Sequence, residues 1–390
     1  MHTKSNISVI GAGITGVTTA YYLAKQGYNV TIYDERRYPA MATSYANGGQ
    51  LSASNAEVWN SWRNVQKGIK WLAKSDAPLK INPMPSWEKY SWFIKFILNI
   101  KHADKNTEQT CRWALQAHDL YKNIATEENI NFDKVEKGIL HVYSDKDEFE
   151  NAHKVNEVYK KAGLNRWAVT AEECFNIEPA LKRSNSLIGG FYNTSDYTGD
   201  IHKFCIELEK VLENKYNVTY SNAKITDLNQ IDEPVVVCAG IGSRELAKTI
   251  GDDLPIYPVK GYSITITIPD PDTAPWVSML DDKAKIVTAR LGADRLRVAG
   301  TAEFTGYNTD IKQARVKPLI KWAEDLFPKL NTETVVPWAG LRPMTPNMMP
   351  IVRRSTRKQN VWYNTGHGHL GWTLSAYTAQ KTAESIDFEI

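Results

Sequence analysis

Arg342 is the residue from which chemistry reads most directly. It stands in Gly340-Leu341-Arg342-Pro343-Met344-Thr345-Pro346 with no acidic residue near it in sequence, and the glycine and prolines around it predict a rigid turn. A planar guanidinium held this way accepts a carboxylate through two parallel N–H···O bonds. The alternative is a structural arginine bonded to loop carbonyls. Gly366-His367-Gly368-His369 leads into a helical pattern, so its N–H groups and helix dipole predict a site for negative charge. His-x-His is also the spacing of a metal pair, but no Cys or carboxylate lies near it in sequence, and no metal is expected. Tyr262, at the mouth of an apolar alternating run, is expected to bring its hydroxyl over a substrate.

These groups need a scaffold, and the start of the chain describes one. Ile7-Ser8-Val9-Ile10 reads as a short buried strand and Gly11-Ala12-Gly13-Ile14-Thr15-Gly16 as a G-x-G-x-x-G turn. Val17, Ala20, Tyr21 and Ala24 then share one helix face, closed by Gly27. A second strand at 29–33 stops on Asp34, followed by Glu35 and Arg36. In a dinucleotide site Gly11 makes the tight turn, Gly13 admits a pyrophosphate to the backbone, and Gly16 lets helix pack on strand. The helix N-terminus faces the phosphates, and Asp34 falls where a carboxylate accepts ribose hydroxyls. NAD and FAD both satisfy this pattern. The small polar loop 44–51, with Ser44, Asn47, Gly48, Gly49, Gln50 and Leu51, suits either a chain beside the second half of a cofactor or an ordinary surface loop. The buried run 234–238 ends on Ala239-Gly240, the kind of tip a parallel sheet brings to its cofactor edge.

With 390 residues the chain is long enough for two domains. Its 12 Trp and 19 Tyr are enough to line a substrate cavity, and a net charge of +3 without a basic block argues against nucleic acid as partner. Cys111, Cys174, Cys205 and Cys238 are scattered without a C-x-x-C pair, which fits a reducing, cytoplasmic setting. No signal-peptide core precedes the first strand, and no apolar run reaches the ~18 residues a membrane span needs. Residues 55–101 mix five tryptophans with lysines and are cut by Pro78, Pro83 and Pro85. They read either as a surface resting on a membrane or as an insertion packed on its own protein.

Further on, helices are predicted at 107–130, 147–162, 200–214, 316–327 and 372–386, with another starting near 170. Strands are predicted at 138–143, at 189–192 as a sheet edge, and at 217–220 and 361–364. Period-two alternation across 255–310 predicts antiparallel strands with one wet face. The fold class expected is α/β: a Rossmann-type domain (1–54, 170–252, 334–390) interleaved with an α+β substrate domain (55–169, 253–333), with the site at their seam.

Four motifs carry a resemblance: Tyr45-Ala46-Asn47-Gly48-Gly49-Gln50, Tyr257-Pro258-Val259-Lys260-Gly261-Tyr262-Ser263, the segment around Arg342, and Asn364-Thr365-Gly366-His367-Gly368-His369-Leu370-Gly371-Trp372-Thr373. Together with the dinucleotide opening they closely resemble bacterial FAD-dependent D-amino acid dehydrogenases, within the wider D-amino acid oxidase and glycine/sarcosine oxidase group. The resemblance runs in order over nearly the whole chain. It implies FAD at the seam, Arg342 on the substrate carboxylate, the 366–371 turn beside the flavin pyrimidine ring, and the 44–51 loop along the flavin and ribityl chain. Ile225 would lend backbone to the adenine pocket. Gly340, Ala239-Gly240 and Trp372-Thr373 complete the expected cofactor contacts, and Tyr262 and His369 join Arg342 as catalytic candidates. The chain departs from the pattern at His369, where relatives often carry a small hydroxyl residue. It also ends at Ile390, earlier than typical members, so tail contacts are expected to differ.

The chemistry implied is oxidation of an amino or imino acid at Cα. Arg342 fixes the carboxylate so that Cα–H faces flavin N5, the neutral amine pushes as hydride leaves, and the imine hydrolyses to a 2-oxo acid and ammonia. Orientation and electrostatics do most of the work, and the electrons pass to a quinone-type acceptor, where a membrane visit by 55–101 would suit. The alternatives are an O₂-using oxidase of glycine or sarcosine type, an NAD-binding reductase, and a non-catalytic flavin sensor. Side-chain preference and substrate chirality stay open.

Overall fold

The computed structural model describes residues 5–72, 78–184 and 186–389; residues 1–4, 185 and 390 of the expected nucleotide-binding unit and 73–77 of the expected substrate unit lie outside those ranges. The strand Asn6–Ile10 pairs in parallel with Val235–Val237 on one side and Asn29–Asp34 on the other. Val361–Thr365 continues the parallel run beyond Val235–Val237 and Thr219–Asn222 beyond Asn29–Asp34, and Ile351–Arg354 closes one end antiparallel. Strands buried on both faces read as continuous apolar runs, as Val235-Val236-Val237 does. One face carries the helices Ile14–Lys25, Ile201–Tyr216 and Gly371–Glu389. Val17, Leu23, Phe204, Leu208, Trp372 and Ala383 belong to a single core there, each large side chain contributing on the order of 2 kcal/mol. Gly16 is the price of that packing: a Cβ on it would lie 1.7 Å from the Gly11 carbonyl oxygen.

Among the described residues a second sheet has nine strands. Val335–Met344 forms one edge, followed by Tyr257–Thr267, Arg295–Phe304, Ile286–Leu291, Ser278–Asp281, Ile139–Tyr143, Gly189–Asn193 and Trp167–Thr170, while Leu79–Ile81 adds to Arg295–Phe304. The pairing is antiparallel except where Ser278–Asp281 meets Ile139–Tyr143 and where Leu79–Ile81 joins.

Two sequence expectations are corrected here. Gly189–Asn193 is not an edge, because Trp167–Thr170 pairs outside it. A Cβ on Gly190 would stand 2.6 Å from the His141 carbonyl oxygen, and one on Gly189 2.7 Å from that of Val169. The glycine pair marks close approach of neighbouring backbones, not exposure. Arg342 sits on a strand and not in a turn. Val335–Met344 runs along the sheet edge, where Pro337 and Pro343 can lack their N–H without breaking an inner ladder. Both strands fall in segments expected to build the nucleotide-binding unit, yet they are hydrogen-bonded into the nine-stranded sheet.

The described residues of the segment 55–101 form the helices Trp62–Leu72 and Trp87–Leu98 around Leu79–Ile81. The second helix buries Trp92 beside Tyr257 and Phe304, with its indole N–H on the Met344 carbonyl at 2.9 Å. Trp62, Trp87, Ile94 and Leu98 remain exposed. Among the described residues no helix is long and apolar enough to cross a membrane.

Candidate active site

A cavity of about 1300 Å³ is lined from both sheets and from the loop between Asn29–Asp34 and the short strand Gln50–Leu51. At its nucleotide end Gly11 has φ +102°, and a Cβ there would lie 2.7 Å from the Cys238 carbonyl oxygen. Gly13 caps the helix Ile14–Lys25 without a side-chain cap, and a Cβ on it would meet nothing nearer than the Ser44 hydroxyl at 3.4 Å. The space before the helix N-terminus is therefore open to an anion. Ser44 accepts from the Ile14 N–H at 3.1 Å. The Asp34 carboxylate accepts from the Ala12 and Arg36 N–H groups at 2.8 and 2.9 Å and keeps lone pairs for further donors. Thr15, Glu35, Arg36, Ile225, Ala239 and Gly240 line the same end, and Glu35 pairs with Lys224 at 2.7 Å. Ala12, Gly16 and Leu51, expected to touch the cofactor, lie behind the cavity wall with their side-chain positions packed into the core.

The loop at 43–50 is riveted to the nine-stranded sheet. Thr43 donates to the Leu341 carbonyl (2.8 Å), Ser263 to that of Ala46 (2.7 Å) and Arg297 to that of Asn47 (3.2 Å). Gly49 has φ +72°, and a Cβ there would lie 2.6 Å from that of Ala289, so this loop hugs the sheet. The Gln50 amide is tied to Ser278 at 2.8 Å. Gly366 and Gly368 adopt φ +75° and +58°, which brings 366–371 round onto the cavity. Thr373 accepts from the Ser52 N–H at 3.3 Å, while Leu370 and Trp372 contribute buried wall.

At the opposite end Arg342 reaches over Gly261, along the strand that pairs with its own. One terminal nitrogen donates to the Thr301 carbonyl at 3.0 Å. That carbonyl is aimed by a bulge: Lys260 pairs with Glu303 but Tyr262 with Gly300, so Thr301 and Ala302 together face Gly261. Thr301 has φ +63°, a strained conformation for a β-branched residue. Among the described residues no carboxylate pairs with Arg342. Burial lowers its pKa to about 10, which leaves it a cation at neutral pH. His369 stacks on Trp59 with centroids 4.7 Å apart and rings 25° from parallel. Burial, then the charge of Arg342, pushes its pKa down to about 3, so the ring is neutral. His367 turns instead to Thr378, 2.9 Å away. The two imidazoles diverge, and among the described residues no cluster of His, Cys, Asp and Glu could hold a metal.

Tyr262 is not where the sequence reading put it. Strand alternation sends its side chain to the face opposite Gly261. Its hydroxyl lies 3.1 Å from Glu303 and 3.3 Å from the Asp310 carbonyl, and Lys260 and Arg315 also bind that carboxylate.

Residues 6–385 match the family described as FAD dependent oxidoreductase. The chain belongs to the FAD-dependent oxidoreductase family. This family member is 54% identical to D-amino acid dehydrogenase 3 of Mesorhizobium japonicum, over 97% of this chain and 96% of that one. It is 40% identical to D-amino acid dehydrogenase of Paramagnetospirillum magneticum, over 97% and 94%. Its fold matches glycine oxidase from Geobacillus kaustophilus with a TM-score of 0.77 at 18% identity, covering 98% of this chain and 94% of that one. L-proline dehydrogenase from P. horikoshii gives 0.75 at 17%, covering 99% and 94%.

FAD is thus the cofactor of this oxidoreductase, and the uncapped helix end, the open space at Gly13 and the acceptor at Asp34 fit its dinucleotide half. Sequence reasoning missed Gly261 and Thr301. An isolated glycine inside a strand pattern signals close approach, so Gly261 carried a signal; nothing local marked Thr301.

Proposed function

We propose that this protein oxidises a D-amino acid or related imino acid at Cα and passes the electrons to a quinone-type acceptor. The observation that carries this reading is Arg342, a half-buried cation with, among the described residues, one carbonyl partner and no acid. A guanidinium left so costs free energy that a substrate carboxylate recovers by accepting two of its remaining N–H groups. The 54% identical relative named D-amino acid dehydrogenase 3 supports the substrate class. When bound, FAD supplies the two-electron acceptor for the hydride from Cα.

The rest falls to the chain. Arg342 holds the carboxylate and so fixes the direction of the Cα–H bond. Neutral His369, stacked on Trp59, walls the reacting carbon from bulk water without adding charge. Loss of the ammonium proton readies the amine, and the released imine hydrolyses in water to a 2-oxo acid and ammonia. In this reading Gly11, Gly13 and the helix N-terminus take the pyrophosphate, Asp34 the ribose, and residues 44–50 and 366–371 the flavin. The six-stranded sheet then forms the core of the FAD unit and the nine-stranded sheet that of the substrate unit. Exposed Trp62, Trp87, Ile94 and Leu98 beside Lys95 and Lys101 support a peripheral contact with an anionic membrane, where a quinone resides.

The test is an anaerobic panel of D- and L-amino acids, N-methyl amino acids and proline derivatives, read by flavin bleaching. D-amino acids or D-imino acids should bleach it, and Arg342→Ala should lose about 2–5 kcal/mol of transition-state binding. Unchanged kcat/KM in that variant would refute the arginine's role. Hydrogen peroxide formed in air at the rate of substrate loss would identify an oxidase, and failure of every substrate would leave a flavin-binding protein without this activity.

A further inference from the structure

Among the described residues one carboxylate faces the same cavity without a hydrogen-bond or ion-pair partner. Burial alternates along 56–60, with Ala56, Val58 and Asn60 inside the protein, so Glu57 and Trp59 turn to the cavity together. Trp59 is the ring stacked on His369, and His369 feels the charges of both Arg342 and Lys285. Lys285 in turn lies within electrostatic reach of Glu57. From Arg342 the cavity therefore leads past the His369–Trp59 stack to Glu57 and Lys285.

The other acids around Glu57 are paired. Asp282 accepts from the Tyr143 hydroxyl at 2.6 Å and pairs with Lys285 at 3.1 Å. Glu148 pairs with Lys67 and with Arg63. Arg166 is held by neutral acceptors, Asn156 at 3.1 Å among them, and its charge reaches Glu57 without forming an ion pair. Among the described residues the Glu57 carboxylate makes neither a hydrogen bond nor an ion pair; only its main-chain N–H is used, donating to the Tyr159 hydroxyl at 2.9 Å. Burial raises its pKa to about 7, so water does not compensate it fully. An acceptor kept unmatched in a cavity is costly to cover with hydrocarbon and cheap to cover with a donor.

We propose that Glu57 determines substrate specificity by accepting a hydrogen bond from the substrate side chain, so that amino acids bearing a hydroxyl or ammonium there are preferred to hydrocarbon ones. This rests on the reading that Arg342 holds the α-carboxylate, which sets the end from which the side chain extends. A site built around such an acceptor rejects the analogue that lacks the donor by 10-fold or more.

The experiment measures kcat and KM of the holoenzyme for two matched pairs, D-norvaline with D-ornithine and D-proline with 4-hydroxy-D-proline. The donor-bearing member of at least one pair should be favoured at least 10-fold in kcat/KM. Glu57→Ala should erase that preference through KM of the donor-bearing member, leaving the hydrocarbon member unchanged or improved. Glu57→Gln, which keeps an acceptor but loses the charge, separates the sources: a hydroxyl preference survives it and an ammonium preference does not. Both variants should melt at or above the wild-type temperature, since a half-buried acid without a hydrogen-bond partner is removed. Equal use of both members in both pairs by wild type, or an equal loss on both members in Glu57→Ala, overturns the proposal while leaving the reaction assigned to Arg342 intact. Failure to oxidise all four compounds overturns this proposal, while the reaction itself stands or falls with the wider anaerobic panel.

Discussion

The guanidinium of Arg342 fills the place where a side chain on Gly261 would stand: a Cβ there would lie 2.4 Å from its central carbon and from both terminal nitrogens. The clash is with the end of a flexible side chain, so Gly261→Ala should fold and push Arg342 aside. A displacement of about 1 Å costs on the order of 10²-fold in rate. The expected outcome is a fall of about that size in kcat/KM with the melting temperature within a few degrees of wild type. An unchanged kcat/KM would mean that the position of Arg342 is immaterial.

Thr301 holds φ +63° so that its carbonyl meets Arg342 at 3.0 Å. Glycine adopts this conformation freely and keeps the carbonyl. After its own entropy cost, Thr301→Gly should gain roughly 0.5–1 kcal/mol of stability, read as a higher denaturant midpoint at unchanged slope. KM should stay near wild type, because the carbonyl that aims the guanidinium is retained.

Buried histidines make stability depend on pH. Burial lowers the pKa values of His367 and His369 from 6.5 to about 3, and burial also lowers those of His118 and His141. A histidine kept neutral in the folded state takes up a proton only on unfolding below pH 6.5. Its contribution is complete above that value and is lost as pH falls towards 3, by about 1.4 kcal/mol per pH unit for each group. Glu57, raised to about 7, acts in the opposite sense: its folded form binds the proton first, so it favours the fold as pH falls from about 7. Unfolding measured between pH 6.5 and 5 should show net loss with acid, and His369→Gln should reduce the slope by one proton. A slope unchanged in that variant would place a charged imidazole in the native state.

Asp34 closes the nucleotide end by accepting from the Ala12 and Arg36 N–H groups. Asp34→Ala removes both acceptors along with the one expected to face the ribose. After gel filtration the variant should retain less flavin than wild type, judged by absorbance at about 450 nm relative to 280 nm. Full retention would remove Asp34 from the cofactor site.

Much of this protein is written in local chemistry. Gly11, Gly13, Gly16 and Asp34 announce a strand–turn–helix–strand unit because each residue type answers a need of its own backbone. The apolar spacing of Trp372, Ala376, Ala379 and Ala383 announces the last helix for the same reason, since periodicity depends only on neighbours in the chain. Tertiary structure alone decided which side chains meet. Tyr262 and Gly261 are adjacent in sequence, yet strand alternation puts one into a core and the other beneath a guanidinium, and a one-residue bulge turns Thr301 towards it. Pro343 concealed an edge strand, and nothing near Glu57 in sequence revealed that its carboxylate would open on the cavity unmatched. Register, bulges and cross-sheet contacts join residues tens to hundreds of positions apart, and their energies depend on the assembled fold and not on any stretch of it.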